Sequence, residues 1–164
     1  MNALAGPQRL DLDAGVLALL AACDLPVADL HGEGPAGLTL HGWRAPDGAA
    51  IGVVALQPLS GRAFLVRSLA VRPERRGEGL GGRLLARAGA AAAAAGGESL
   101  HLVTDSAEAF FRARGYHVRA RTAAPPALRR TQLFRGLCPA SAVYMTAPCR
   151  HPDDTDDTED RTGP

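Results

Sequence analysis

At 164 residues the chain has room for one domain with a sizeable core, and its 46% apolar content is ordinary for a globular protein. All 18 basic residues are arginine and the net charge is only +1, so the arginines are no sign of a nucleic-acid partner. No apolar run approaches the roughly 18 residues of a membrane span, and three cysteines without a C-x-x-C pair (Cys23, Cys138 and Cys149) suit a reducing, cytoplasmic setting without a metal site.

In chain order, "LAAC" at 20–23 has the form of a lipoprotein cleavage box, but Asp11 and Asp13 interrupt the leader it would need. The stretch reads instead as a first helix, with Asp13 as N-cap, an apolar stripe of Val16, Leu17, Leu19 and Leu20, and Pro26 as the stop. A Gly/Pro-rich loop with His31 and Glu33 follows. "LTLHGW" (38–43), "AIGVVALQ" (50–57) and "AFLVRSLAV" (63–71) read as strands joined by the turn signals "APDG" and "PLSG". Residues 79–95 read as a helix whose alanine run forms its outer end. "SLHLVT" (99–104) is a further strand. "SAEAFFRARG" (106–115) is a short helix with Ser106 as cap, and "YHVRART" (116–122) alternates as a strand. A short helix after Pro126 and a last strand near Ala142–Thr146 complete a domain over 1–149. Residues 150–164, with six carboxylates against two arginines, read as a disordered acidic tail. Hairpin-linked strands followed by alternating helices and strands predict an α/β (α+β) fold around a mixed sheet.

Four glycines within six residues of "RPERRGEGLGGRLLARA" (72–88) stand where a strand gives way to a helix. A turn of this kind aims successive backbone N–H groups, and the positive end of the helix dipole, at a phosphate. The Walker loop is excluded because the chain has no lysine. Gly77, Gly79 and Gly82 match G-x-G-x-x-G, but "RPERR" separates them from the strand and no acidic residue ends the next strand. The third motif, R/Q-x-x-G-x-G/A, is matched by Arg76 through Gly81. A tight strand-to-helix turn with no ligand stays open beside it.

The stretch "RSLAVRPERRGEGLGGRLL", with "FFRARGYHV" further on, resembles the coenzyme A-binding region of the GNAT acetyltransferase superfamily over residues 50–120. The resemblance implies the GNAT acyl-CoA N-acyltransferase fold, a mixed, mostly antiparallel central sheet with helices on both faces. It implies acetyl-CoA as co-substrate and a small-molecule amine as acceptor, with no nucleic-acid or membrane partner and a homodimer left open. Leu69, Ala70 and Val71 would meet the pantetheine arm. Arg76, Gly77, Gly79, Leu80 and Gly81 would hold the pyrophosphate between splayed strands. "TDSAEAFFRARGY" and "ALRRTQLFRGLCPASAVYM" further resemble a GNAT clade associated with arsenic resistance, which implies an amino-acid-like acceptor; Gln132 stands where that clade has a glutamate.

Arg67, on an alternating strand, is expected to share a face with Leu65, Leu69 and Val71. It would either grip an acceptor carboxylate or pair with a Glu or Asp from a neighbouring helix. Many GNAT enzymes carry a tyrosine as general acid where this chain has Phe110 and Phe111, so Tyr144 and Cys138 are the candidate acids and Glu33 the candidate base. Two other classes are open: an acetyl-CoA-binding sensor without turnover, and a thiol-based metalloid-binding protein.

Overall fold

The structure, a computed structural model, describes residues 4–32, 34–137 and 140–150. One seven-stranded sheet organises them, in the order β1-β2-β3-β4-β5-β7-β6. Its strands are β1 (Gln8–Leu10), β2 (Thr39–Arg44), β3 (Ala50–Pro58), β4 (Ala63–Val71), β5 (Ser99–Thr104), β6 (His117–Arg119) and β7 (Val143–Pro148). Every neighbouring pair is antiparallel except β4 and β5. A parallel pair needs a crossover, and α2 (Leu80–Ala94) supplies it. Helices α1 (Ala14–Ala22), α3 (Glu108–Arg112) and α4 (Pro126–Arg129) complete the order.

Helices cover both faces. On one, α2 buries Leu84, Leu85, Ala88, Ala92 and Ala93 against Val54, Leu56 and Val66 of β3 and β4. The alanine run is therefore a packing surface, not only an outer end: small side chains let α2 lie close to the sheet. On the opposite face α1, capped by Asp13 accepting from the Val16 N–H at 3.0 Å, buries Val16, Leu19 and Leu20 against Val53, Ala55 and Ala70. Leu65, Leu128, Leu133 and Tyr144 form a third cluster, beneath α4.

The strands and helices lie close to where the sequence puts them, with three differences. β1 is too short, at three residues, to show a period, and it was not expected. The 106–115 helix is shorter than expected, and its N-cap is Ala107, whose N–H donates to Thr104 Oγ1 at 3.2 Å, not Ser106. The strand expected over 116–122 shortens to β6, because residues Arg121–Ala123 turn into a 3-10 helix. The acidic tail beyond Arg150 lies outside the described residues.

Candidate active-site cleft

Two departures from regular pairing open the centre of the sheet. β4 pairs with β5 only over Ala63–Leu65 and Ser99–His101; beyond that point the two parallel strands part. β4 also carries a bulge. Its register against β3 shifts between Ala70 opposite Val53 and Arg67 opposite Ala55, and Ser68 sits there at φ 57°, a left-handed value that is uncommon without glycine. The bulge reverses side-chain parity. Phe64 and Val66 face α2 before it, and Leu69 and Val71 face α2 after it. Arg67 thus shares its face with Leu65 and Ala70. The expectation that Leu69 and Val71 lie on that face is corrected by the extra residue.

The gap is a cleft of about 880 Å³. Its walls are Val66–Val71 of β4, the Arg75–Gly82 loop, the end of β5, residues 107–114 around α3, and Cys23–Pro26 after α1. Leu69, Ala70, Val71, Arg76, Gly77, Gly79, Leu80 and Gly81 all line it, with Arg67. The Arg72 N–H bonds the Ile51 carbonyl in β3 at 2.9 Å, so by alternation Val71 turns its own N–H and C=O into the gap.

The glycines serve two ends. Gly77 (φ 85°) and Gly79 (φ 78°) hold left-handed conformations, with open space where a Cβ would stand. Backbone conformation, not crowding, requires glycine there. Gly81 and Gly82 allow close approach: a Cβ would stand 3.3 Å from the Phe110 ring and 3.2 Å from Arg114 Nε, respectively. Gly79 caps α2 without a side-chain bond, and the first helical bond runs from the Arg83 N–H to the Gly79 carbonyl. The N–H groups of Gly77, Gly79, Leu80 and Gly81 find no acceptor among the described residues. Free N–H groups at a helix N-terminus make a site for an oxyanion such as a diphosphate.

Arginines brace this end of the cleft. Arg76 Nε donates to the Val71 carbonyl at 3.3 Å, and its Nη2 lies 3.6 Å from Cys23 Sγ. Arg75 and Glu78 form a bidentate pair at 2.7 and 3.2 Å, which holds the Glu78 carboxyl below its ordinary range. Arg114 stacks on Phe110, 3.8 Å from the ring centroid.

The proposed proton-transfer groups fall differently. Tyr144 is 2% exposed, stands outside the cleft lining, and shares a 2.6 Å hydrogen bond with His101 Nδ1. Ser99 Oγ completes that array, 2.8 Å from His101 Nε2. Burial raises the Tyr144 phenol and lowers the His101 imidazole. Tyr144, the expected general acid, thus stands behind the cleft lining, on the face of β7 that packs with Leu65, Leu128 and Leu133. Glu33 and Cys138 lie outside the described residues. Arg67 is in a buried bidentate pair with Asp29, a residue the sequence reading did not single out. Nothing in the sequence marks two positions 38 residues apart as partners.

A sheet parted between two parallel strands, with a glycine loop and helix N-terminus at the mouth, is the GNAT acyl-CoA N-acyltransferase fold. Residues 40–118 match the model of the acetyltransferase (GNAT) domain. A putative acyl-CoA N-acyltransferase from Klebsiella pneumoniae subsp. pneumoniae is similar over 91% of this chain and 100% of its own, at 26% identity and a TM-score of 0.70. Nourseothricin acetyltransferase is 26% identical over 70% of this chain and 67% of its own, with a TM-score of 0.52. N-acetylglutamate synthase from Neisseria gonorrhoeae, complexed with coenzyme A and N-acetyl-glutamate, shares the fold at 19% identity and a TM-score of 0.72, over 91% of this chain. This chain spans 36% of that protein's length. Comparison with curated protein sequences returns no match.

Proposed function

We propose that the chain transfers an acetyl group from acetyl-CoA to the amino group of a small, amino-acid-like acceptor. The observation that carries this reading is the row of unpaired N–H groups from Gly77 to Gly81, set on the same cleft as the parted β4 edge. The loop and helix dipole suit the diphosphate, and the β4 edge suits an extended pantetheine arm that adds to it like a strand. Bound acetyl-CoA would supply an activated thioester. The Val71 N–H, facing the gap, would stabilise the negative charge that develops on the thioester carbonyl oxygen. For proton transfer we propose Glu33 as base, acting on the acceptor ammonium, and Cys138 as acid; Glu33→Gln and Cys138→Ser with pH–rate profiles test both roles. The amino-acid-like acceptor and the arsenic-resistance setting rest on sequence resemblance alone.

One observation favours a second reading, a sensor that binds acetyl-CoA without turnover: no tyrosine or histidine lines the cleft among the described residues. Acetyl-CoA-dependent thiol release over a panel of amines, including amino acids and their phosphinic and arsinic analogues, separates the two. Release with at least one amine supports transfer. Tight acetyl-CoA binding with no release from any amine supports the sensor.

A further inference from the structure

Arg67 lines the cleft, yet its side chain is only 2% exposed. Its Nη1 and Nη2 meet the two oxygens of Asp29 at 2.5 and 2.7 Å, Nη1 also lies 3.3 Å from Gln57 Oε1, and Nε lies 3.4 Å from Ser68 Oγ. A guanidinium fork closed on both oxygens of a carboxylate is how arginine takes an acidic ligand. Here the carboxylate is the chain's own. Asp29 rides on the 3-10 turn Ala28–Leu30, whose Leu30 is 1% exposed in the apolar cluster with Val53 and Ala70. Both the ion pair and this apolar anchor hold the turn against β4.

We propose that Asp29 is a specificity-determining residue, an internal carboxylate that fills the Arg67 fork so that the acceptor amine is taken without a carboxylate at that point. The inference rests on acetyl transfer to an amine as the function of the cleft. An incoming carboxylate that displaced Asp29 would leave it buried and unpaired, and removing one partner of a buried pair is strongly unfavourable. The tethered Asp29 also competes at a high effective concentration. Asp24 and Asp105 line the same cleft without an ion-pair partner among the described residues, and so do Arg76 and Arg114, so the discrimination falls to the Arg67–Asp29 pair itself. The substrate class narrows to amines whose neighbouring group is uncharged, such as amino-acid amides and esters, over free amino acids.

The test uses the full chain, with sodium formate as probe and sodium chloride at matched ionic strength as control. In wild type the two salts should give the same melting temperature. Asp29→Ala should lower it, and formate alone should restore it. At formate about ten times its dissociation constant the folded-to-unfolded ratio should rise about tenfold. Asp29→Ala/Arg67→Ala should show no formate effect. Formate no better than chloride on Asp29→Ala, or equally effective on the double variant, overturns the proposal. If Asp29→Ala does not fold, the wild type decides through its Arg67 Nε–Hε resonance: a resonance unmoved by saturating glycine supports the proposal, and one that shifts overturns it. In turnover, Asp29→Asn should reduce the preference for an amino-acid amide over the free acid about tenfold, the effect of one charge-assisted hydrogen bond. An unchanged preference counts against the proposal. The formate and resonance measurements need no acetyl-CoA, so an absence of acetyl transfer would remove the proposed function and leave them standing.

Discussion

Gly79→Val probes the loop where conformation and ligand binding meet. Gly79 has φ 78° and ψ 11°, and nothing stands within 4 Å of its absent Cβ. Valine therefore meets no clash; the cost is backbone strain. A left-handed conformation costs an L-residue roughly 1–2 kcal/mol, and a β-branched residue is the least suited to it. In a domain of this size that corresponds to a loss of about 2–8 °C in melting temperature. If the loop relaxes to negative φ, the Gly79 and Leu80 N–H groups turn from the cleft. Each charge-assisted bond to a phosphate contributes about 1.5–3 kcal/mol, so losing one weakens acetyl-CoA binding by about tenfold to 150-fold. Calorimetry with acetyl-CoA reads this directly, and S-acetylpantetheine, which lacks the diphosphate, is the control whose affinity should stay as in wild type. A folded variant with wild-type acetyl-CoA affinity would refute the reasoning. So would equal losses for both ligands, since the damage would then not be specific to the phosphates.

Tyr144→Phe should lower stability by about 1–3 kcal/mol, because it strands His101 Nδ1 in a buried site, while acetyl-CoA affinity holds; chemical denaturation and calorimetry check the two halves. Tyr116→Phe should be neutral or stabilising, since the Tyr116 hydroxyl is buried without a hydrogen-bond partner among the described residues and burial raises its phenol; a loss above about 1 kcal/mol in urea unfolding would reveal a hidden partner. Burial holds the imidazoles of His41 and His101 below the ordinary 6.5, with Arg87 and Arg9 adding to the effect at His41. The unfolded chain therefore takes up protons before the folded one. The stability these histidines contribute is complete above pH 6.5 and falls as the pH drops towards their folded values, by up to about 1.4 kcal/mol per pH unit for each. Urea titrations from pH 7.5 to 5.5 should show that fall, and His101→Gln should reduce its slope.

Most of the sheet was legible because its central strands are short, mostly apolar runs, such as "AIGVVALQ", bounded by turns that carry Gly and Pro at the required places. The glycine loop was legible because two left-handed positions and two close approaches leave few other residues able to serve. The bulge was not: Ser68 in "VRSLAV" has no signature of a left-handed conformation, so the parity change that sets the face of Arg67 could not be read. The Arg67–Asp29 pair was half legible. A buried arginine demands a carboxylate, but whether the chain or a ligand supplies it depends on tertiary packing. Tyr144 shows the same limit from the other side: a tyrosine near a cleft in sequence can face either side of its strand, and here packing under α4 decides.

The central claim is that the Gly77–Gly81 N–H groups receive the diphosphate of acetyl-CoA while the parted edge of β4 receives its arm. A backbone-amide NMR titration of the full chain with acetyl-CoA, and separately with S-acetylpantetheine, tests it most directly. Both ligands should shift the Leu69–Val71 amides, and only acetyl-CoA should shift those of Gly77, Gly79, Leu80 and Gly81. Saturating acetyl-CoA that leaves the glycine-loop amides in place, or shifts at the loop alone with β4 unmoved, would contradict the account.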